Sequence, residues 1–135
     1  MEKYPKSYKG FVIWLILFIA TLMLTGLVPT EDVHLIVLLI GNIMTVGMAV
    51  LTGMIWINQK IYWYTGLSYE EACKASPEQR KTYARRHFVR FGVWAVLFLL
   101  YSLAAYFLGF PFGVSIAVAT VGTLAMAIST VRISL

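Results

Sequence analysis

Long apolar stretches separated by short polar segments dominate the pattern of hydrophobic and polar positions along the chain. Residues 10–30 contain no charged side chain, and a second uncharged stretch follows the polar turn at Glu31 and Asp32. A membrane-spanning helix needs about 20 largely apolar residues to cross ~30 Å of hydrocarbon. The pattern therefore predicts two transmembrane helices, at about residues 10–29 and 34–57.

The second half of the chain contains a longer uncharged stretch that must fold back on itself. No charged residue occurs among the 41 residues between Arg90 and Arg132. One straight helix through them would run about 60 Å, twice the thickness of the hydrocarbon core. Pro111 marks the break, because proline lacks a backbone donor and disfavours helix in the residue before it. The third and fourth spans are therefore predicted at about 88–108 and 113–131.

The positions of the basic residues predict the orientation in the membrane. All eleven Lys and Arg residues lie in or beside the N-terminal tail, the segment 58–87 and the C-terminal end, and the two other turns contain none. Loops rich in Lys and Arg stay in the cytoplasm. We therefore expect an all-α, four-helix bundle in the cell membrane, with both termini and segment 58–87 in the cytoplasm.

Composition agrees with a membrane protein and argues against nucleic acid as a partner. Of the 135 residues, 60% are hydrophobic and only 13% are charged, whereas soluble domains carry about 25% charged residues. A soluble domain of this size has too little interior to bury so much apolar surface. The net charge of +5 comes from residues that border the apolar stretches, which indicates a bilayer with anionic headgroups as the partner.

The segment 58–87 carries local signals for two helices. Ser68 can cap a short helix, and Ser76 is followed by Pro77 and, three residues on, by Gln79. Serine, proline and glutamine at these positions form a capping box at a helix start. No helix breaker follows before Gly92, so the second helix is predicted to run into the third span as a basic cytoplasmic extension.

A basic cluster on that extension is the first candidate site. Its charges lie where they can contact lipid headgroups, each worth about 1 kcal/mol near an anionic leaflet. An acidic cytoplasmic partner is the alternative. The members of the cluster are Arg80, Lys81, Arg85, Arg86 and Arg90.

Polar side chains inside the second span form a second candidate site. Asn42, Thr45 and Thr52 share one face at helical spacing. Asn and Thr commonly form hydrogen bonds between membrane helices, so the face indicates helix packing. The alternative is a polar path through a small oligomeric channel or transporter. The absence of Asp, Glu, Lys and Arg from the middle of every span argues against a self-contained proton-driven pump.

Small residues recur every four positions along the fourth span. Such residues let helix backbones approach closely. The face predicts packing within the bundle, with a homo-oligomer or a larger membrane protein as the alternative partner. It consists of Ser115, Ala119, Thr123 and Ala127.

No residue pattern indicates catalysis, a metal or a cofactor. Cys73 is the only cysteine, so it gives neither an intrachain disulfide nor a metal-ligand spacing. His34 and His87 fall on opposite sides of the membrane in the predicted topology, and each is expected to be a polar residue at its interface. We therefore expect a non-enzymatic protein without cofactor.

The central segment resembles a group of small bacterial multi-span membrane proteins. The stretch that carries the resemblance begins with Ser76-Pro77-Glu78-Gln79-Arg80-Lys81, continues through Tyr83, and ends at Arg90-Phe91-Gly92, ahead of the last two spans. That group is loosely similar to immunity proteins that protect a cell from its own secreted peptide toxin. The small-residue faces and the lack of catalytic motifs predict an accessory, regulatory or immunity-type role exerted through helix–helix contact, and the resemblance implies no functional residue.

Overall fold

The helices of the computed structural model follow the apolar stretches of the sequence. The structure describes residues 4–63, 67–131 and 133; Arg132 lies outside them. Within the described residues there are five α-helices and no strand. They are α1 (Lys9–Leu24, continued by a 3-10 turn at Thr25–Leu27), α2 (Val33–Asn58), α3 (Tyr69–Lys74), α4 (Pro77–Leu108) and α5 (Phe112–Val131).

All of these helices except α3 are long and apolar enough to cross a membrane. The prediction of an all-α chain with four helices that could span a membrane is therefore confirmed. The observed bounds lie close to the predicted spans, and α4 begins eleven residues before its predicted span (Pro77 against 88) because it includes the basic extension. α4 is continuous over 32 residues, about 48 Å at 1.5 Å per residue.

Local side-chain chemistry sets where the helices begin and end. Asp32 caps α2 by accepting a hydrogen bond from the Leu35 amide at 3.2 Å. Capping boxes at Ser68 and Ser76 start α3 and α4. α4 ends at Gly109, which has a φ of 69°, a left-handed conformation that costs other residues about 1–2 kcal/mol. The chain then turns into α5.

The core of the membrane-length helices lies between α2 and α4, which pack along their length. Leu38, Leu51 and Ile55 of α2 are buried, as are Phe91 and Phe98 of α4. α5 packs against both of these helices. α1 packs on α2, and none of its residues is buried.

The end of the molecule that carries segment 59–87 is called the basic end here, and the core continues into it, in one cluster with Leu51 and Ile55. Ile61, Tyr62 and Trp63 are buried there beside Ala72 of α3 and Tyr83 of α4. This cluster ties the α2–α3 connection to the start of α4.

Candidate functional site

The polar face of α2 is turned toward α4. Thr45 and Thr52 are buried, and their hydroxyls donate to carbonyls of their own helix, at 3.1 Å to Asn42 O and 2.9 Å to Met48 O. Asn42 donates through Nδ2 to Leu38 O and to Ser102 Oγ of α4, both at 2.8 Å. The three predicted residues therefore lie together in the α2–α4 contact.

One polar atom of this face has no hydrogen-bond partner among the described residues. Asn42 Oδ1 is buried and accepts no hydrogen bond there. A buried acceptor without a donor costs about 1–3 kcal/mol. Asn42 also lines a groove between α1 and α2, so this residue lies between the α2–α4 core and that groove.

An apolar groove lies between α1 and α2 on the described part of the chain. Its volume is about 490 Å³. Trp14 donates through Nε1 to Gly47 O at 3.0 Å, and the Phe18 ring rests on Gly47, where an added Cβ would lie 2.5 Å from the ring. Other lining residues from both helices are Ile13, Leu17, Thr21, Leu39, Ile43, Val46, Val50 and Met54.

The small-residue face of α5 is divided between the interior and the surface. Ser115 is buried, and Thr123 accepts a hydrogen bond from Trp94 Nε1 at 3.1 Å. Ala119 is half-buried and Ala127 is exposed. Most of this predicted face therefore packs within the chain, and only Ala127 points outward.

Ser115 belongs to a hydrogen-bonded cluster that the sequence did not reveal. Its hydroxyl lies 2.6 Å from His34 Nε2 and 2.9 Å from the Tyr101 hydroxyl. These three residues connect α2, α4 and α5 at the end opposite the basic end. Their separation in sequence, together with the apolar surroundings of Tyr101, left no local signal for this cluster.

Arg80 is the first member of the basic cluster, and its predicted headgroup contact is wrong. It is 1% exposed. Its guanidinium donates to Ala75 O at 2.8 Å, to Ala72 O at 3.2 Å and to Gln59 Oε1 at 3.1 Å. Arg80 lies on the inward face of α4, and its guanidinium binds the carbonyl groups at the end of α3.

The N-terminal tail covers Arg80. The ring centroid of Tyr4 lies 4.0 Å from the Arg80 guanidinium carbon, and the Tyr4 hydroxyl donates to Gln59 O. Burial raises the pKa of Tyr4 well above its ordinary value, so the phenol remains a donor. Further along the tail, Ser7 O accepts hydrogen bonds from the Tyr62 hydroxyl at 3.0 Å and from Trp63 Nε1 at 2.9 Å.

Three of the four other basic residues border a cleft on the outer face of α4. Lys81, Arg85 and Arg86 are exposed, and Arg90 is half-buried. Arg90 donates through Nη1 to Ser129 O in the last turn of α5, where the helix dipole favours a positive charge. The cleft has a volume of about 450 Å³ and includes Arg85, Arg86 and Arg90 but not Lys81.

Histidine, cysteine and carboxylate side chains are the usual metal ligands in proteins. Within the residues that the structure describes, no group of three such side chains could hold a metal ion. Cys73 is exposed on α3, and His87 is buried with Nδ1 3.0 Å from Tyr83 O.

Comparisons with models of known protein families, with curated proteins and with solved structures found no match to this chain. The function proposed for it therefore depends on its own residues.

Proposed function

We propose that this chain is a small non-enzymatic protein of the cell membrane that acts through contacts between transmembrane helices. In this proposal its four long helices form one bundle, and both termini lie in the cytoplasm. Its role is that of an accessory, regulatory or immunity-type factor. The contact surface is α1 together with the α1–α2 groove, and the occupant is a transmembrane helix that displaces α1 and donates a hydrogen bond to Asn42 Oδ1.

The observation that carries the proposal is the state of Asn42. Its Oδ1 is buried without a donor in the described residues, beside a groove lined by apolar side chains. Lipid tails carry no hydrogen-bond donor, whereas Ser, Thr, Asn and Gln side chains of a neighbouring helix do. The groove therefore suits a helix with one polar side chain better than it suits lipid.

The position of α1 also supports the proposal. No residue of α1 is buried, so one side of the groove is formed by a helix with little packing of its own. A helix held this lightly can adjust to an occupant at small cost.

The channel alternative has less support from the geometry. The hydroxyls of Thr45 and Thr52 are turned into the α2–α4 contact and bond to their own helix. A water-filled path along this face would need α2 and α4 to separate.

Site-specific photocrosslinking in native membranes tests the proposed contact. A photoreactive amino acid is placed at Leu17 or Val46, which line the groove from its two sides. We expect a discrete adduct from both positions, weakened when Asn42→Leu removes the acceptor. An adduct of twice the chain's mass identifies a second copy as the occupant, and another mass identifies a different protein.

Leu124 of α5 and Val96 of α4 provide the matched controls. Both side chains are apolar and exposed to a similar extent, 56% for Leu124 and 58% for Val96. Neither of them lines the groove. Equal adducts from all four positions, or none from Leu17 and Val46, would remove the groove as the contact surface.

A further inference from the structure

The cleft on the outer face of α4 combines positive charge with a defined shape. It is lined by Thr82, Arg85, Arg86, Val89 and Arg90. These positions follow the spacing i, i+3, i+4, i+7 and i+8, which places them on one helix face. Three guanidinium groups therefore border a single depression of about 450 Å³.

Arg90 is held in place from within the protein. It donates through Nη1 to Ser129 O of α5. A guanidinium has five N–H donors in a planar fork that suits the oxygens of phosphate. Arg90 can therefore bind Ser129 and still donate to an anion in the cleft, and its side chain loses less freedom on binding than an unattached arginine would.

An apolar strip continues from the cleft along α4. Val89, Val93 and Leu97 follow one another at four-residue intervals and are 48%, 51% and 50% exposed. The face thus changes from cationic at the basic end to apolar along the membrane-length part of the helix. A phospholipid has the same order of parts, with a phosphate at one end and acyl chains below it.

We propose that this cleft binds one anionic phospholipid. Arg85, Arg86 and Arg90 hold its phosphate with the Thr82 hydroxyl, and an acyl chain lies along the strip that begins at Val89. The site is smaller than the basic cluster of the sequence, because Arg80 is turned inward and Lys81 lies outside the cleft. It is separate from the α1–α2 groove and does not depend on the function proposed above.

Native mass spectrometry of the full chain tests the site. The protein is released from phosphatidylcholine nanodiscs that contain a minor fraction of phosphatidylglycerol. We expect one retained phosphatidylglycerol per chain. Arg85→Gln or Arg86→Gln should lower its retention about fivefold, since each variant removes a guanidinium that donates charge-assisted hydrogen bonds to the phosphate. Both residues are exposed, so neither change removes a buried contact.

Lys81→Gln and Lys74→Gln are the matched controls. Each removes one positive charge from an exposed residue of the same end, and we expect unchanged retention. An equal fall for the lysine variants would show diffuse attraction to the whole surface and would overturn the proposal, as would no fall for the arginine variants.

Thermal unfolding in a neutral detergent distinguishes the lipid from other anions. Phosphatidylglycerol should raise the unfolding midpoint, and inorganic phosphate should not, because only the lipid covers the strip beginning at Val89. Equal stabilisation by inorganic phosphate would assign the cleft to a free anion. Displacement of the lipid by a poly-glutamate peptide, lost in Arg86→Gln, would assign it to an acidic partner; either result contradicts the proposal.

Discussion

The α2–α4 contact and the α1–α2 contact share one packing feature, but its burial differs between them. In each, a phenylalanine ring lies on a glycine of α2: Phe98 of α4 on Gly41, and Phe18 of α1 on Gly47. Phe98 is fully buried, whereas Phe18 is only half-buried. The difference shows that close approach to a glycine does not by itself make a core, since a core needs burial from several sides.

Phe98→Ala and Phe18→Ala should give the largest difference between the two contacts. Removing a fully buried ring typically costs about 3–5 kcal/mol, and we expect that loss for Phe98→Ala. For Phe18→Ala we expect about half or less, because lipid or detergent already reaches part of the ring. Reversible unfolding in mixed detergent micelles measures both. Equal losses would mean that α1 is as well packed as α4.

A methyl group added at the two glycines tests the same comparison from the other side. An added Cβ would lie 2.6 Å from the Phe98 ring at Gly41 and 2.5 Å from the Phe18 ring at Gly47. Overpacking typically costs about 1–3 kcal/mol, and we expect this for Gly41→Ala, because Phe98 has no space to move. Gly47→Ala should cost less than about 1 kcal/mol, since Phe18 and α1 can shift outward.

Gly92→Ala is the control for the glycine pair. Nothing lies within 4 Å of its added Cβ, and alanine is the better helix former by about 1 kcal/mol. Unfolding of the same preparations should show a small gain for this variant. If Gly47→Ala proved as costly as Gly41→Ala, α1 would have to be a rigid part of the core.

Removing a single hydrogen bond should have a smaller effect than the changes above. In the α2–α4 contact it should lower global stability, and in the α1–α2 contact it should loosen α1 locally. Ser102→Ala removes the acceptor of Asn42 Nδ2 and should lower global stability by about 0.6 kcal/mol, the mean for such bonds in membranes. Trp14→Phe removes the bond to Gly47 O and should loosen α1 without a global change.

Thiol labelling provides the readout for the Trp14 variant. In a Cys73→Ser background, a cysteine at Val50 in the groove should react faster with N-ethylmaleimide after Trp14→Phe and at an unchanged rate after Ser102→Ala. If labelling became faster after Ser102→Ala and stayed unchanged after Trp14→Phe, α1 would belong to the part of the protein that unfolds as one unit, and α4 would not.

Thr52→Val should have the smallest effect, below about 0.5 kcal/mol. The Thr52 hydroxyl donates to Met48 O and Ala49 O of its own helix, so no bond between helices is lost when valine replaces it. Unfolding and ion flux in liposomes are the measurements. A clear change in flux would restore the channel alternative for the polar face of α2.

Local signals in the sequence were sufficient to predict the long helices and both ends of α4. The start of α4 is encoded within four residues by Ser76, Pro77 and Gln79, and its end by Gly109 and Pro111. Each of these residues acts on its own backbone neighbours, so its effect is visible without the fold.

Contacts between helices were harder to predict, because they depend on which face each residue presents. Arg80 was grouped with exposed arginines by its charge. The buried positions Ala84, His87 and Phe91 follow it at intervals of four, three and four, and this spacing could have placed Arg80 on the inward face. No comparable pattern links Asn42 to Ser102 or His34 to Ser115, because those pairs come from different helices.

The path of the N-terminal tail has a consequence for the order of assembly during synthesis. Tyr4 packs on Arg80 and bonds to Gln59, and Ser7 bonds to Tyr62 and Trp63. None of these partners exists when α1 leaves the ribosome. Residues 4–8 are therefore made before their partners, and this tail closes over Arg80 only after α4 has begun to emerge.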